Sequence, residues 1–156
     1  MNVNVGERVR RIYEKRPYPR VGGENPLRAR LRLAPIDWIR AVWQPAPELP
    51  RRILVAGCGT GAEAFTLARH FPDADIVGVD FSPGSIGVAR AVQKRDSRAR
   101  QIRFVSGDLT SSRFIRAVGE RFDFVSCHGV LSYLPRPDRA LENLAGCLSP
   151  DGALFL

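Results

Sequence analysis

From Ile53 onward the sequence alternates short apolar runs with amphipathic stretches, and this alternation constrains the fold more than any other feature. Each run is four to six residues long and is bounded by turn residues, as buried strands are. The predicted strands are Ile53–Ala56, Asp75–Val79, Ile102–Ser106, Phe122–Cys127 and Ala153–Leu156. Alternating strands and helices predict right-handed crossovers, and hence an α/β fold with a doubly wound, mostly parallel sheet.

Stretches with apolar residues at helical spacing separate these strands. Ser82 is placed to cap one helix that begins at Pro83. The helical stripes are Ala64/Leu67/Ala68/Phe71, Ile86/Ala89/Val92, Phe114/Ile115/Val118 and Leu141/Leu144/Ala145/Leu148. A turn is predicted over Ser149–Gly152, before the last strand.

Residues 1–50 have a different pattern. Val5, Val9 and Ile12 predict a helix that runs to Tyr13, and a second helix with Ile36, Ile39 and Trp43 follows Pro35. A loop rich in Pro and Gly is predicted from Pro17 to Pro26; residues 27–34 fit a strand and a helix equally poorly. Because Pro45, Pro47 and Pro50 end the second helix, we predict a helical cap over residues 1–50 and a core over 51–156.

The net charge of +8 belongs to this N-terminal segment. Residues 1–52 hold twelve of the 24 basic side chains but only five of the 16 acidic ones. A basic segment can bind nucleic acid or an anionic surface. Only Lys15 and Lys94 are lysines, which indicates a compositional bias toward arginine, and the segment lacks aromatic residues interleaved with basic ones. The sequence therefore argues against a nucleic-acid partner.

Composition excludes several further classes of protein. The 156 residues, 44% hydrophobic, suffice for one domain with a core and do not suit a disordered chain. No apolar run approaches the roughly 18 residues of a membrane span, and early arginines leave no room for a secretory signal. Cys58, Cys127 and Cys147 are odd in number and lack CxxC spacing, so we expect no disulfide framework and no metal site. We expect a soluble, cytoplasmic protein.

A glycine-rich turn follows the first predicted strand and opens a helix. Its residues, Gly57-Cys58-Gly59-Thr60-Gly61, allow a tight turn and let a ligand approach the backbone without meeting a Cβ atom. Turns of this kind bind several nucleotides. Together with Ala62 the residues also satisfy Gly-x-Gly-x-x-Ala, so a dinucleotide remains an alternative.

Two carboxylates follow the next strands. Asp80 ends the second strand, 21 residues after Gly59, where it can accept both hydroxyl groups of a ribose. Asp108 follows the third strand and can accept a hydrogen bond from an adenine amino group. Because ligands of such sheets bind at the carboxyl ends of the strands, the turn and both acids predict one nucleotide site.

These residues resemble a known family, the class I S-adenosylmethionine-dependent methyltransferases. The resemblance covers residues 51–156, through Ile53–Gly61, Asp80, Gly107-Asp108-Leu109, Phe122–Val125 and the segment Gly129–Leu134. Tyr13 and Pro17-Tyr18-Pro19 are similar to a Tyr…Pro-Tyr-Pro stretch before the core in one bacterial group. The resemblance implies a Rossmann-like sheet of strand order 3-2-1-4-5, without the family's last strand pair and with an N-terminal helical cap.

The resemblance also implies a role for each matched residue. Gly57, Cys58, Gly59 and Gly61 would line the methionine and ribose portions of S-adenosylmethionine, whose product is S-adenosylhomocysteine. The ribose would bind Asp80, and the adenine would lie among Phe81, Asp108 and Leu109. The methionine portion and the transferred methyl group would be bordered by Cys127, His128 and Gly129, and Tyr13 or Tyr18 would close over the cofactor. The acceptor would be a small molecule, with His128 or Tyr133 as candidate catalytic residues.

Two departures from the family pattern lead to further expectations. Many members carry an acid two residues before the first glycine, where this chain has Val55. The sequence also stops at Leu156, inside the fifth predicted strand, so we expect a C-terminally shortened form, or a homo-oligomer that covers this exposed strand edge.

Two other functions remain open. An NAD-dependent oxidoreductase or epimerase would use the same glycine turn for a pyrophosphate, but the sequence has no Tyr-x-x-x-Lys pair. A non-catalytic nucleotide-binding domain is the third alternative.

Overall fold

The sheet is built around strand β1 (Arg52–Ala56), whose last four residues are buried. The computed structural model describes residues 5–18, 34–42 and 50–156. Within them five parallel strands follow the order β3-β2-β1-β4-β5, which confirms the predicted fold and strand order. The other strands are β2 (Asp75–Asp80), β3 (Ile102–Ser106), β4 (Phe122–Ser126) and β5 (Leu148–Phe155).

Helices cover both faces of this sheet. They are α1 (Val5–Lys15), α2 (Ala34–Val42), α3 (Ala62–His70), α4 (Pro83–Gln93), α5 (Phe114–Val118) and α6 (Pro137–Gly146), with 3₁₀ turns at Ser97–Ala99 and Leu131–Tyr133. Ile53 and Val55 face the side of α2, α3 and α4, whereas Leu54 and Ala56 face the side of α5 and α6. Burial on both faces explains why the strands are continuously apolar.

Helix α1 forms as predicted, but its buried face is different. Ile12, which the predicted stripe placed inside, is 53% exposed. Val9 and Tyr13 are half-buried instead, four residues apart on the face toward the carboxyl ends of the strands. The helix also continues to Lys15, two residues beyond the predicted end.

Helix α2 covers the face of β4 and β5. Ile36 and Ile39 are buried as their spacing predicts. Trp38, which the sequence reasoning did not single out, lies with its ring centroid 6.0 Å from those of Phe124 and Phe155. Several sequence predictions fall outside the described residues. They concern Trp43, the loop from residue 19 to Pro26, residues 27–33, Pro45 and Pro47.

Strand β5 departs from the prediction. Helix α6 ends at Gly146, so Leu148 belongs to the strand and not to the helical stripe. The predicted turn, Ser149–Gly152, is an irregular part of the strand: Phe122 pairs with Leu148 but Phe124 with Ala153, so the extra residues bulge. Gly152 is required there, since a Cβ atom would lie 2.7 Å from the carbonyl oxygen of Phe122. Strand β5 lies at the sheet edge, and its pairing with a second copy stays a prediction.

Two glycines give opposite predictions for stability. In Gly78→Ala the new methyl would lie 2.8 Å from Phe104 Cδ1, so we expect the free energy of unfolding to fall by about 1–3 kcal/mol. Gly87→Ala, on α4 with no atom within 4 Å of the new methyl, should raise it by about 0.5–1 kcal/mol. Denaturant unfolding of both variants measures the difference, and equal effects would contradict this packing.

Candidate functional site

The carboxyl ends of β1, β2, β3 and β4 border one cleft of about 880 Å³. The predicted site residues that line it are Tyr13, Tyr18, Gly57, Cys58, Gly59, Asp80, Phe81, Asp108, Leu109, His128, Gly129 and Tyr133. Gly61 and Cys127 do not line it. The cleft therefore gathers residues that lie up to 120 positions apart in the chain, as the parallel sheet requires.

The glycine turn forms the floor beside β1. Its three glycines have φ values of 74°, 55° and 88°, a region that other residues rarely adopt. The amides of Gly57 and Cys58 both donate to the carbonyl of Val79, at 2.8 and 3.0 Å, which holds the turn against β2. A Cβ atom on Gly57 would collide with Val130.

Gly61 has a packing role instead of a lining one. A Cβ atom there would lie 2.8 Å from Phe104 and 2.9 Å from Phe65, whose rings pack edge to face beneath the turn. Gly61 is the last residue of the glycine turn, and its lack of a side chain lets α3 begin close to the sheet.

Asp80 joins the glycine turn to the start of α4. One carboxylate oxygen accepts from the amide of Gly59 and the other from the amide of Ser82, both at 2.9 Å. Ser82 in turn caps α4, with its hydroxyl accepting from the amide of Ser85 at 3.2 Å. Each carboxylate oxygen retains a lone pair, so the group can still receive ribose hydroxyls.

Burial controls the charge of Asp80. Desolvation raises the pKa of this carboxyl above its ordinary value, and the hydrogen bonds from Ser82 and Gly59 oppose that shift. The side chain is 7% exposed, so a ligand that donates to it would meet little competing water.

Asp108 lines the cleft after β3, the strand next to β2. Its Oδ1 accepts from both the amide and the hydroxyl of Thr110, each at 2.8 Å, which holds the carboxylate at the mouth of the cleft. Leu109 is buried, and its carbonyl accepts from Asn143 at 2.7 Å. The wall thus combines an exposed acceptor with an apolar surface.

Of the three predicted site residues that follow β4, one is buried in the core and two line the cleft. Cys127 is buried in the core on the side of α5 and α6, and its amide donates to Phe155 at 2.8 Å. His128 and Gly129 are exposed and line the cleft, with the His128 ring 5.9 Å from that of Phe155. Cys127 and His128 follow the last residue of β4, Ser126, and only the second of them lines the cleft.

The N-terminal segment closes one side of the cleft. The Tyr13 ring contacts Phe81 edge to face at 6.2 Å. The carbonyl of Tyr18 accepts from the amide of Thr60 at 3.1 Å, so this segment is bonded to the glycine turn. Burial, followed by the charges of Tyr133, Tyr18 and Asp80, raises the pKa of the Tyr13 hydroxyl, which therefore stays a donor at neutral pH.

The cysteines are not arranged as nucleophiles. Burial, with a smaller contribution from Asp80, raises the pKa of Cys58 well above its ordinary value. Burial and the charge of Glu63 raise the pKa of Cys127 to about 12. Thiols in this state are inert. Across residues 5–18, 34–42 and 50–156 no group of three His, Cys, Asp or Glu side chains is placed to hold a metal ion.

Sequence reasoning missed several residues of the cleft. Glu63 stands directly after the glycine turn, and an acid in the first turn of α3 was a signal that could have been used. Val130 gave no signal, since its contact with Gly57 depends on the conformation of the segment after β4.

The cleft has glycines at the strand switch between β1 and β4 and carboxylates at the ends of β2 and β3. This arrangement is typical of nucleotide-binding α/β proteins. Comparison with known families narrows this class. The methyltransferase domain family matches residues 54–154, and the chain belongs to it. The family predicted from the motifs is thereby confirmed.

Two relatives are similar to about two thirds of this chain. An uncharacterised protein of Synechococcus is 40% identical over 112 residues, which are 71% of this chain and 26% of that protein. Trans-aconitate 2-methyltransferase of Methylobacterium radiotolerans is 34% identical over 107 residues, 69% of this chain and 37% of that enzyme. The chain thus spans well under half the length of these relatives.

A solved structure shares the fold. Magnesium protoporphyrin IX methyltransferase from Synechocystis PCC 6803, crystallised with bound S-adenosylmethionine, superposes with a TM-score of 0.72 at 19% identity. The match covers 94% of this chain and 73% of that chain. In the part of this chain that the structure describes, no helix is both long and apolar enough to cross a bilayer.

The raised pKa of Asp80 predicts a pH dependence of stability. A carboxyl whose pKa is raised on folding stabilises the fold below its ordinary pKa, and this contribution is lost as the pH rises through the raised value. Asp80→Asn removes the titration. The unfolding free energy of the wild type relative to Asp80→Asn should therefore fall as the pH rises from the ordinary pKa of the carboxyl through its raised value, as denaturant titrations at a series of pH values would measure. A difference that grows with pH would contradict the assigned burial.

Proposed function

We propose that this protein transfers a methyl group from S-adenosylmethionine to a small-molecule acceptor. The observation that carries the proposal is the convergence of the glycine turn, Asp80 and Asp108 on one cleft, within a chain of the methyltransferase domain family. The cofactor bound to the Synechocystis structure, which has the same fold, supports the choice of nucleotide.

The residues of the cleft fit this cofactor portion by portion. Gly57 and Gly59 leave room for the methionine and ribose portions, Asp80 receives the ribose hydroxyls, and Phe81 and Leu109 enclose the adenine. Asp108 accepts from the adenine amino group at the cleft mouth. In this proposal Gly61 and Cys127 act from outside the cleft: Gly61 shapes the turn, and Cys127 anchors the end of β4.

When bound, the cofactor supplies an electrophilic methyl group on a sulfonium. The chain's own contribution is to hold donor and acceptor in line and to exclude water. Tyr13 and Tyr18 act on the N-terminal side, where the Tyr13 ring against Phe81 covers the cleft. An acceptor that must lose a proton needs a nearby base.

His128 is our candidate for that base. It follows the end of β4, is exposed and lines the cleft, and its imidazole is the side chain that most often serves as a general base. Tyr133, 52% exposed on the following 3₁₀ turn, is placed to contact the acceptor. Names of similar proteins, which specify trans-aconitate and magnesium protoporphyrin IX, favour a small molecule.

We also place the protein in the cytoplasm. Cys58, Cys127 and Cys147 are all free thiols, which fits a reducing compartment.

Calorimetry with S-adenosylhomocysteine and with NAD tests the proposal. We expect saturable binding of S-adenosylhomocysteine and none of NAD, and incubation with radiolabelled S-adenosylmethionine should then transfer label to a metabolite extract. Binding of NAD alone would favour an oxidoreductase or epimerase. Binding of S-adenosylhomocysteine without transfer to any acceptor would favour a non-catalytic nucleotide-binding domain.

Asp108→Asn tests the adenine contact. The variant keeps Oδ1, and with it the hydrogen bonds from Thr110, but replaces the second acceptor oxygen with a donor. We expect unchanged unfolding, within about 0.5 kcal/mol, and about tenfold weaker binding of S-adenosylhomocysteine. Asp108→Ala is the control, since it also removes the hydrogen bonds from Thr110 that hold this turn. Unaltered affinity in Asp108→Asn would place the adenine elsewhere.

A further inference from the structure

Glu63 is a carboxylate inside the cleft that the residue assignments above leave without a role. It is the second residue of α3, directly after the glycine turn, and it lines the cleft with its Oε1 atom buried. A negative charge in the first turn of a helix is favoured by the helix dipole. The position therefore suits a fixed anion.

Glu63 lines the cleft together with Gly57 and Cys58, which follow β1, and with His128 and Gly129, which follow β4. Its charge acts on both Cys58, which follows β1, and Cys127, which follows β4, adding to the burial that raises the pKa of each thiol. The gap between these two strands is the strand switch of the sheet, where we propose that the methionine portion of the cofactor lies.

The other carboxylates of the cleft are placed differently. Glu7, Glu63, Asp80 and Asp108 are the acidic residues of the described chain that line it. Asp80 accepts from the amides of Gly59 and Ser82, Asp108 lies at the mouth after β3, and Glu7 is exposed on α1. Glu63 is thus the acid at the methionine end.

The ligand also requires a carboxylate there. The methionine portion carries an α-ammonium group, and a buried ammonium is costly unless it is paired and hydrogen-bonded. At the position where many members of the family carry an acid, this chain has Val55, which is 2% exposed and apolar. Strand β1 therefore offers no charge to this group.

We propose that Glu63 binds the α-ammonium of the methionine portion and so supplies the charge that Val55 does not. This inference rests on the proposed function, because it concerns the same cofactor. A charge-assisted hydrogen bond from ammonium to a partly buried carboxylate is among the stronger polar contacts. It would orient the methionine chain, and through it the sulfur, with respect to the acceptor.

Binding of three ligands to Glu63→Gln tests the proposal. S-adenosylhomocysteine has the ammonium and the carboxylate, its decarboxylated analogue keeps only the ammonium, and 5′-methylthioadenosine has neither. We expect Glu63→Gln to bind the first two about 10- to 100-fold more weakly than the wild type does, with unchanged affinity for 5′-methylthioadenosine. Glu63→Asp should recover part of the loss, since it retains the charge.

The third ligand and a control variant separate binding from folding. Glu142→Gln removes one exposed carboxylate on α6, outside the cleft, and should leave all three affinities unchanged within about twofold. Equal weakening of all three ligands in Glu63→Gln would mean a structural role, and no weakening of any would mean no contact; either overturns the inference while the proposed function stands. A wild type that binds none of them would overturn both.

Discussion

The carboxylate of Asp80 is the interaction on which the site depends. It ends β2, and its two oxygens hold the amide of Gly59 in the turn after β1 and the amide of Ser82 at the start of α4. Two neighbouring strand ends and one helix are therefore fixed to each other by a single buried side chain. Because the turn's glycines have few steric restraints of their own, this restraint supplies the order that a binding surface needs.

The same carboxylate accounts for a conflict between stability and function. Its burial disfavours its charged form and raises the pKa of the carboxyl, which limits what the ionised group contributes to stability. A charged acceptor in a dry cleft is, however, the group that donors such as hydroxyls bind most strongly. The fold compensates with apolar layers on both faces of the sheet, where the strand residues of β1 and β2 are almost fully buried.

Much of this arrangement can be predicted from the sequence, because it depends on local signals. The parallel sheet follows from alternation and handedness, the strand order was implied by the family resemblance, and Asp80 and Asp108 stand at strand ends that the apolar runs define. What depends on tertiary contacts could not be predicted. The exposure of Ile12 follows from the way α1 docks over the cleft, and the bulge of β5 from the close approach of Gly152 to Phe122.

Side-chain direction at the ends of elements also depends on tertiary contacts. The predicted strand ran to Cys127, whereas β4 ends at Ser126, and the Cys127 side chain packs in the core on the side of α5 and α6. Glu63 lies in the first turn of α3, outside the glycine motif, and the motif alone does not predict that its side chain lines the cleft. In both cases the motif predicts where the site lies in the fold. The backbone geometry at the end of the strand or the start of the helix then determines which side chains face the site.

The hydrogen bond from Thr60 to the carbonyl of Tyr18 has a thermodynamic consequence. Through it the docking of residues 5–18 and the conformation of the glycine turn are linked equilibria, even though these elements are far apart in the sequence. By reciprocity, any ligand that favours the ordered turn also favours the docked segment, by the same free energy. The docking of residues 5–18 is therefore part of the binding equilibrium. A substitution that weakens this docking should also weaken ligand binding.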